Sequence, residues 1–448
     1  MRIHSLFRSP AVCRLSSHLR EADRRPVTFA FAIFALGIFL GLVTCLSSAA
    51  GQSNTSMTFN PGVTLTTEQL GGVPHPSEDR MEQMHKGPFI LRARGGELTK
   101  VPAEKSALPF DPTFHPQEAS LFRAHDSLIY VRQNTVLAKS TDGGHTWTSR
   151  KIEPAVGDRL VSGGKLARWQ VLKDGTFVRV VLTIGEGATD PATVSRSQDE
   201  GRTWQQIGEI SIDVAGGYKT RGMHWRMTKL PEETLFFCVD LRDDQYGADC
   251  FLTSGIILTG WRSDDGGKSW EGPIKMCDWA AEGGMVQLPS GKLLASVRYQ
   301  RRLLPTDTPA VRQFAKNRGF KHLFLVESED GGRSWKNLRP LTTVFGQCFG
   351  YPVAQSDGTF VVVHDTRYGP GTDAARAMIS HDEGNTWEDE VYYLFFGKGA
   401  TSYSKSVVLD DDTILTIGGT CTDPESKRDP RAPIGNSHVS AIRWKPVK

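Results

Sequence analysis

Ser263-Asp-Asp-Gly-Gly-Lys-Ser-Trp270 is the stretch that organises this chain, because four variants of it stand elsewhere at regular spacing. They are Ser140-Thr-Asp-Gly-Gly-His-Thr-Trp147, Ser197-Gln-Asp-Glu-Gly-Arg-Thr-Trp204, Ser328-Glu-Asp-Gly-Gly-Arg-Ser-Trp335 and Ser380-His-Asp-Glu-Gly-Asn-Thr-Trp387. The first and last copies start 240 residues apart, an average of 60 per interval. Self-similarity at such a period marks stacked or radially repeated units. The pattern has a physical basis: Ser and Asp oxygens bond nearby backbone N–H groups, the shared Gly can take φ > 0, and Trp pins the turn to apolar surface.

Each copy is preceded by two strand-like runs around another turn. In the fourth unit these are Gly284-Met-Val-Gln-Leu and Leu293-Leu-Ala-Ser-Val, separated by Pro289-Ser-Gly-Lys. The second has Gln170-Val-Leu and Thr176-Phe-Val-Arg-Val, and the fifth has Tyr351-Pro-Val-Ala and Thr359-Phe-Val-Val-Val. Units one (118–131), three (224–239) and six (403–418) follow the same plan. Short antiparallel runs with regular turn punctuation predict an all-β chain, and six radial units predict a six-bladed β-propeller over residues 86–448. Leu303–Phe320 reads as a surface loop inserted in unit four, 51–85 as a linker, and 87–99 as a strand that closes the ring.

Among 448 residues, 39% are hydrophobic and 23% charged, which excludes a disordered chain and a multi-span membrane protein. The net charge of +3 is carried by the first fifty residues, where six arginines face only Glu21 and Asp23; the remaining residues sum to −1. No basic face for nucleic acid follows from that balance. Residues 1–26 hold all six arginines, Val27–Leu46 is apolar, and Ser47-Ser48-Ala49-Ala50 supplies small residues for cleavage. Residues 1–50 thus read as a signal peptide or, uncleaved, as an N-terminal anchor. Either places the protein outside the cytoplasm: secreted, periplasmic or at the cell surface. Outside the leader stand Cys238, Cys250, Cys277, Cys348 and Cys421, whose spacing suits no zinc template. Isolated core thiols and a Cys238–Cys250 bridge across one hairpin are both compatible with it.

The five turns across six units resemble the Asp-box repeats of the sialidase superfamily, over about residues 110–445. The resemblance implies a glycoside hydrolase acting on sialic acid or a related acidic sugar, with a glycan or glycoconjugate as its partner. It implies no metal and no cofactor, and a membrane contact only through the leader. Such chemistry needs guanidinium groups for the substrate carboxylate, and a neutral Tyr nucleophile activated by Glu in place of a second carboxylate. Ala281-Glu282-Gly283-Gly284 through Arg298 resembles the family segment carrying the assisting Glu and one clamp Arg. Arg376 stands before a repeat turn as another clamp does, with Arg367 competing for that role. Tyr403, in Ser402-Tyr403-Ser404-Lys405, matches the nucleophile segment. Unit one departs from the pattern, since its aligned segment offers no clamp Arg. An alignment through Lys86-Gly87-Pro88 would bring Asp111 to the position of the acid, and Asp365, at a strand end equivalent to Arg298, is the other candidate. Arg221 and His224 open unit three and join the substrate-binding candidates. A non-catalytic glycan-binding or cell-surface interaction propeller is the alternative reading, because one fold hosts many functions.

Overall fold

Six antiparallel sheets alternate along the chain in this computed structural model. The structure describes residues 83–84, 87–109, 119–132, 135–152, 165–183, 191–212, 218–219, 224–243, 256–309, 311–312, 320–341, 348–365, 374–396, 403–421 and 437–447. All belong to one compact unit, Asn54–Lys448. The leader and, apart from residues 83 and 84, the linker lie outside the described residues.

Blade one runs from an inner strand, Ala119–Ala124, through Ser127–Arg132 and Val136–Ser140 to an outer strand, Thr148–Lys151. Blade two repeats this with Lys165–Val171, Phe177–Thr183, Ala192–Ser197 and Gln205–Ile210. Blade three has His224–Lys229, Leu235–Asp243, Ile256–Ser263 and Glu271–Asp278, with Tyr218–Lys219 also paired to its second strand. Blade four has Ala280–Gln287, Leu293–Arg301, Phe320–Ser328 and Lys336–Pro340. The inner strands neighbour one another in order, and that of blade six (Lys405–Val408) returns to that of blade one, which closes the ring.

Closure is achieved differently from the sequence expectation. The hairpin Phe89–Arg94 and Glu97–Pro102 does not close the ring; it extends blade five outward from Cys348–Ala354, Phe360–Asp365, Ala374–Ser380 and Glu390–Phe396. The closing strand is Glu104–Ala107, which pairs with Ser437–Trp444 and completes blade six beyond Lys405–Val408 and Ile414–Cys421. Its charged, exposed pattern suits an outer edge and gives no apolar signal in the sequence. The inserted segment 303–320 does lie between the second and third strands of blade four.

Second strands such as Leu293–Arg301 and Phe360–Asp365 are buried throughout, packed between neighbouring blades, whereas outer strands such as Thr148–Lys151 are largely exposed. This is why second strands read as continuous apolar runs and outer ones as polar. The five repeat turns join third to outer strands in blades one to five. In each, the Ser hydroxyl bonds the Asp carboxylate and accepts the N–H of the second Gly position, as with Ser263, Asp265 and Gly267. The Asp carboxylate then accepts the hydroxyl and N–H of the penultimate residue, as from Ser269. Trp147, Trp204, Trp270 and Trp335 each donate to a turn carbonyl at 3.1 Å. Trp387 does not: its Nε1 is buried without a partner. An Arg of the preceding blade bonds turn carbonyls at four of the five: Arg443 to Gly143, Arg150 to Glu200, Arg196 to Gly266, and Arg339 to Gly384.

Cys238 and Cys277 are buried free thiols, and the Cys238 sulfur lies 3.7 Å from that of Met276. The Cys238–Cys250 bridge is therefore not formed. Burial pushes the Cys238 thiol up to about 12, which makes it an inert core group.

Candidate active site

Inner strands begin, and second strands end, at the rim opposite the repeat turns. There the ladder is interrupted in a recurring way. In blade four, Ala281 pairs with Arg298 and Gly284 with Ser296, so two residues oppose one. In blade five, Cys348 pairs with Asp365 and Tyr351 with Val363. The first residue of each bulge is left-handed: Glu282 has φ 50° and Phe349 φ 48°. Tyr403, just before the inner strand of blade six, has φ 70°. Glu282, Phe349 and Tyr403 thus occupy equivalent positions, each in a backbone conformation that costs a bulky residue about 1–3 kcal/mol.

That shared geometry brings three side chains together. The Tyr403 hydroxyl donates to Glu282 Oε1 at 3.0 Å, and Arg298 Nη1 lies 2.5 Å from the same oxygen. Glu282 is 1% exposed and Tyr403 5%, while Glu282 Oε2 is buried with no hydrogen-bond partner. The Phe349 ring packs edge-on against Tyr403 at 4.6 Å. A phenol on a carboxylate, with a guanidinium on that carboxylate, can pass a proton from Tyr to Glu while anionic groups gather around a cation.

Two further sequence candidates, Arg376 and Asp365, lie on blade five. Arg376 sits one strand further out, on the third strand of blade five, paired with His364 and Tyr393. Its guanidinium lies 5.0 Å from the Tyr393 ring centre, and burial lowers its pKa from the ordinary value. Asp365 is buried at the end of the second strand of blade five, across from Cys348 and Ala375. His224 opens the inner strand of blade three, across from Val239; its side chain lies outside what the structure describes. Asp111, Arg221 and Arg367 also lie outside the described residues.

Sequence reading missed a cationic group on the inner strands. Arg226 of blade three stacks its guanidinium 3.9 Å from the Tyr351 ring centre and donates to the Pro352 carbonyl at 3.3 Å. Lys405 of blade six is 2% exposed, with Nζ 4.3 Å from the Phe349 ring centre and 5.8 Å from that of Tyr351. Arg168 of blade two is also buried, and with Arg226 acts on Lys405 electrostatically. Aligning Glu282-Gly-Gly, Phe349-Gly-Tyr and Tyr403-Ser-Lys at the strand starts would have singled out Phe349, Tyr351 and Lys405. No group of His, Cys, Asp and Glu among the described residues could hold a metal ion.

No protein-family model matches this chain, and no curated protein sequence does. Solved structures do resemble it. An α-L-arabinofuranosidase of Fusarium graminearum, solved with arabinobiose, is 15% identical with a TM-score of 0.53, covering 80% of this chain and 98% of its own. A Hadza microbial sialidase is 19% identical with a TM-score of 0.51, over 73% of this chain and 65% of its own. A protein of unknown function from Dyadobacter fermentans is 16% identical with a TM-score of 0.52, over 76% and 97%. At these identities the likeness establishes the six-bladed propeller fold found among glycoside hydrolases, and the residues of this chain must carry any statement of function.

Proposed function

We propose that the protein is an exo-acting glycoside hydrolase of an acidic sugar, sialic acid or a relative, that works outside the cytoplasm. The observation that carries this reading is the contact of Tyr403, Glu282 and Arg298. Tyr403 Oη attacks the anomeric carbon as the bond to the leaving oxygen breaks, and its proton passes to Glu282. An acid, Asp365 or Asp111, protonates the leaving oxygen; the carboxylate left behind then takes a proton from the water that displaces Tyr403 from the anomeric carbon, and Glu282 returns its proton to the departing phenolate. Arg298 and Arg376 hold the substrate carboxylate. A neutral phenol suits this task because a carboxylate nucleophile would be repelled by the substrate's own charge. Export rests on the arginine-rich leader and its apolar run.

The test is hydrolysis of a fluorogenic sialoside by residues 51–448, beside an arabinofuranoside and the Tyr403→Phe variant. Sialoside turnover that falls on the order of 10³-fold in the variant supports the mechanism. Turnover of the arabinofuranoside alone would overturn the acidic-sugar assignment. Binding of a sialoside with no turnover by either protein would leave a glycan-binding propeller instead.

A further inference from the structure

Tyr403 is bulky, left-handed and buried, so something must hold its backbone where an extended strand start would otherwise relax. Its phenol bonds Glu282, its ring meets Phe349, and Lys405 Nζ donates to its carbonyl at 3.0 Å. The lysine folds back two residues to do so, lying over Phe349, the residue equivalent to Tyr403 in the neighbouring blade.

We propose that Lys405 is a positioning residue: its amine clamps the Tyr403 carbonyl, holds the left-handed backbone, and so delivers the phenol to Glu282. The proposal rests on the reading of Tyr403 as the nucleophile for its kinetic consequence, but not for its structural one. The Lys405 side chain is almost wholly enclosed, Arg168 and Arg226 approach it, and no carboxylate forms an ion pair with it among the described residues. Burial first, and then those two arginines, push its pKa well below the ordinary lysine value, opposed by Glu282. An amine, charged or neutral, can donate an N–H to a carbonyl, and one such bond is all the clamp requires. An enclosed lysine is costly for folding, so replacing it by an apolar chain of similar length should not weaken the fold.

The experiment compares Lys405→Met, which keeps length and removes the donor, with Lys405→Gln, which keeps an N–H donor. The expected crystal structure of Lys405→Met shows Tyr403 released from φ > 0 and its hydroxyl out of hydrogen-bonding range of Glu282. Its kcat falls about 10–100-fold with KM little changed, the effect of a misplaced reacting group. In a Tyr403→Phe background the same substitution costs nothing more, because Lys405 acts through that phenol. Lys405→Gln regains part of the lost kcat. A Lys405→Met structure that keeps Tyr403 left-handed and on Glu282 overturns the proposal, as does a kcat within about twofold of the parent. Should Lys405→Met fail to fold, the Lys405→Gln structure decides by the same contact. Should the parent hydrolyse no sugar, the proposed activity fails while the crystallographic comparison still decides the clamp.

Discussion

His364 is wholly enclosed on the second strand of blade five, beside Arg376 and near His322, with Nδ1 3.2 Å from the Asp365 carbonyl. Burial above all, with those two neighbours, lowers its pKa to about 3, against 6.5 for a free histidine. Between those values the unfolded chain binds a proton that the folded one refuses. Stability therefore falls as pH drops below about 6.5, by up to about 1.4 kcal/mol per unit for this group, and the penalty levels off near pH 3. Urea unfolding followed from pH 7 to pH 4 should show this slope, and His364→Gln should flatten it by nearly one proton. An unchanged slope would mean that His364 takes up its proton without unfolding.

The repeat turn shows the same local economy at the level of an element. In blade two, Asp199 accepts the hydroxyl of Ser197, the hydroxyl and N–H of Thr203 and the N–H of Arg202. Hydrogen bonds from Ser197 and Thr203 hold its carboxyl well below the usual range. Asp199→Ala should cost about 1–3 kcal/mol in chemical denaturation, since it strands several donors while water reaches some of them. Activity should stay at the parent level, because the turn closes the rim opposite Tyr403 and Glu282. A loss of kcat without loss of stability would contradict that separation. These turns were fully legible in the sequence because side chain and backbone only a few residues apart define them. The bulges at Glu282 and Phe349 were not. A left-handed bulge in a strand needs no Gly when tertiary contacts hold it, and Glu, Phe and Tyr give no local warning of φ > 0. Glu282, Arg298 and Tyr403 could be named from motif resemblance and Lys405 from aligned strand starts, whereas Arg226 is evident only once the inner strands of blades three and five face each other.

For the whole molecule, the ring closes through a strand of four residues, Glu104–Ala107, separated by some 330 residues from its partner Ser437–Trp444. Its polar sequence hid it; what identifies it is the empty edge that the last sheet would otherwise present. Ser106 ties it to the first repeat turn by donating to the Gly144 carbonyl at 2.9 Å, and Arg443 beside it bonds the Gly143 carbonyl. The closing strand thus couples blade six to blade one as well as completing the sheet. The hairpin Phe89–Pro102 lengthens blade five at its outer edge and buries Ile90, Leu91 and Val101 in the core. A protein starting at residue 103 keeps the closing strand and should retain a single cooperative unfolding transition, at a stability lowered by the loss of the hairpin's buried apolar side chains. One starting at residue 110 should lose that transition or aggregate, since it leaves the blade six edge unpaired and the contacts between blades six and one incomplete. Adding a peptide of residues 100–109 in trans should raise the melting temperature of the shorter protein in a concentration-dependent way. Equal stability of the two truncations would show that the Ser437–Trp444 edge is closed by something other than Glu104–Ala107.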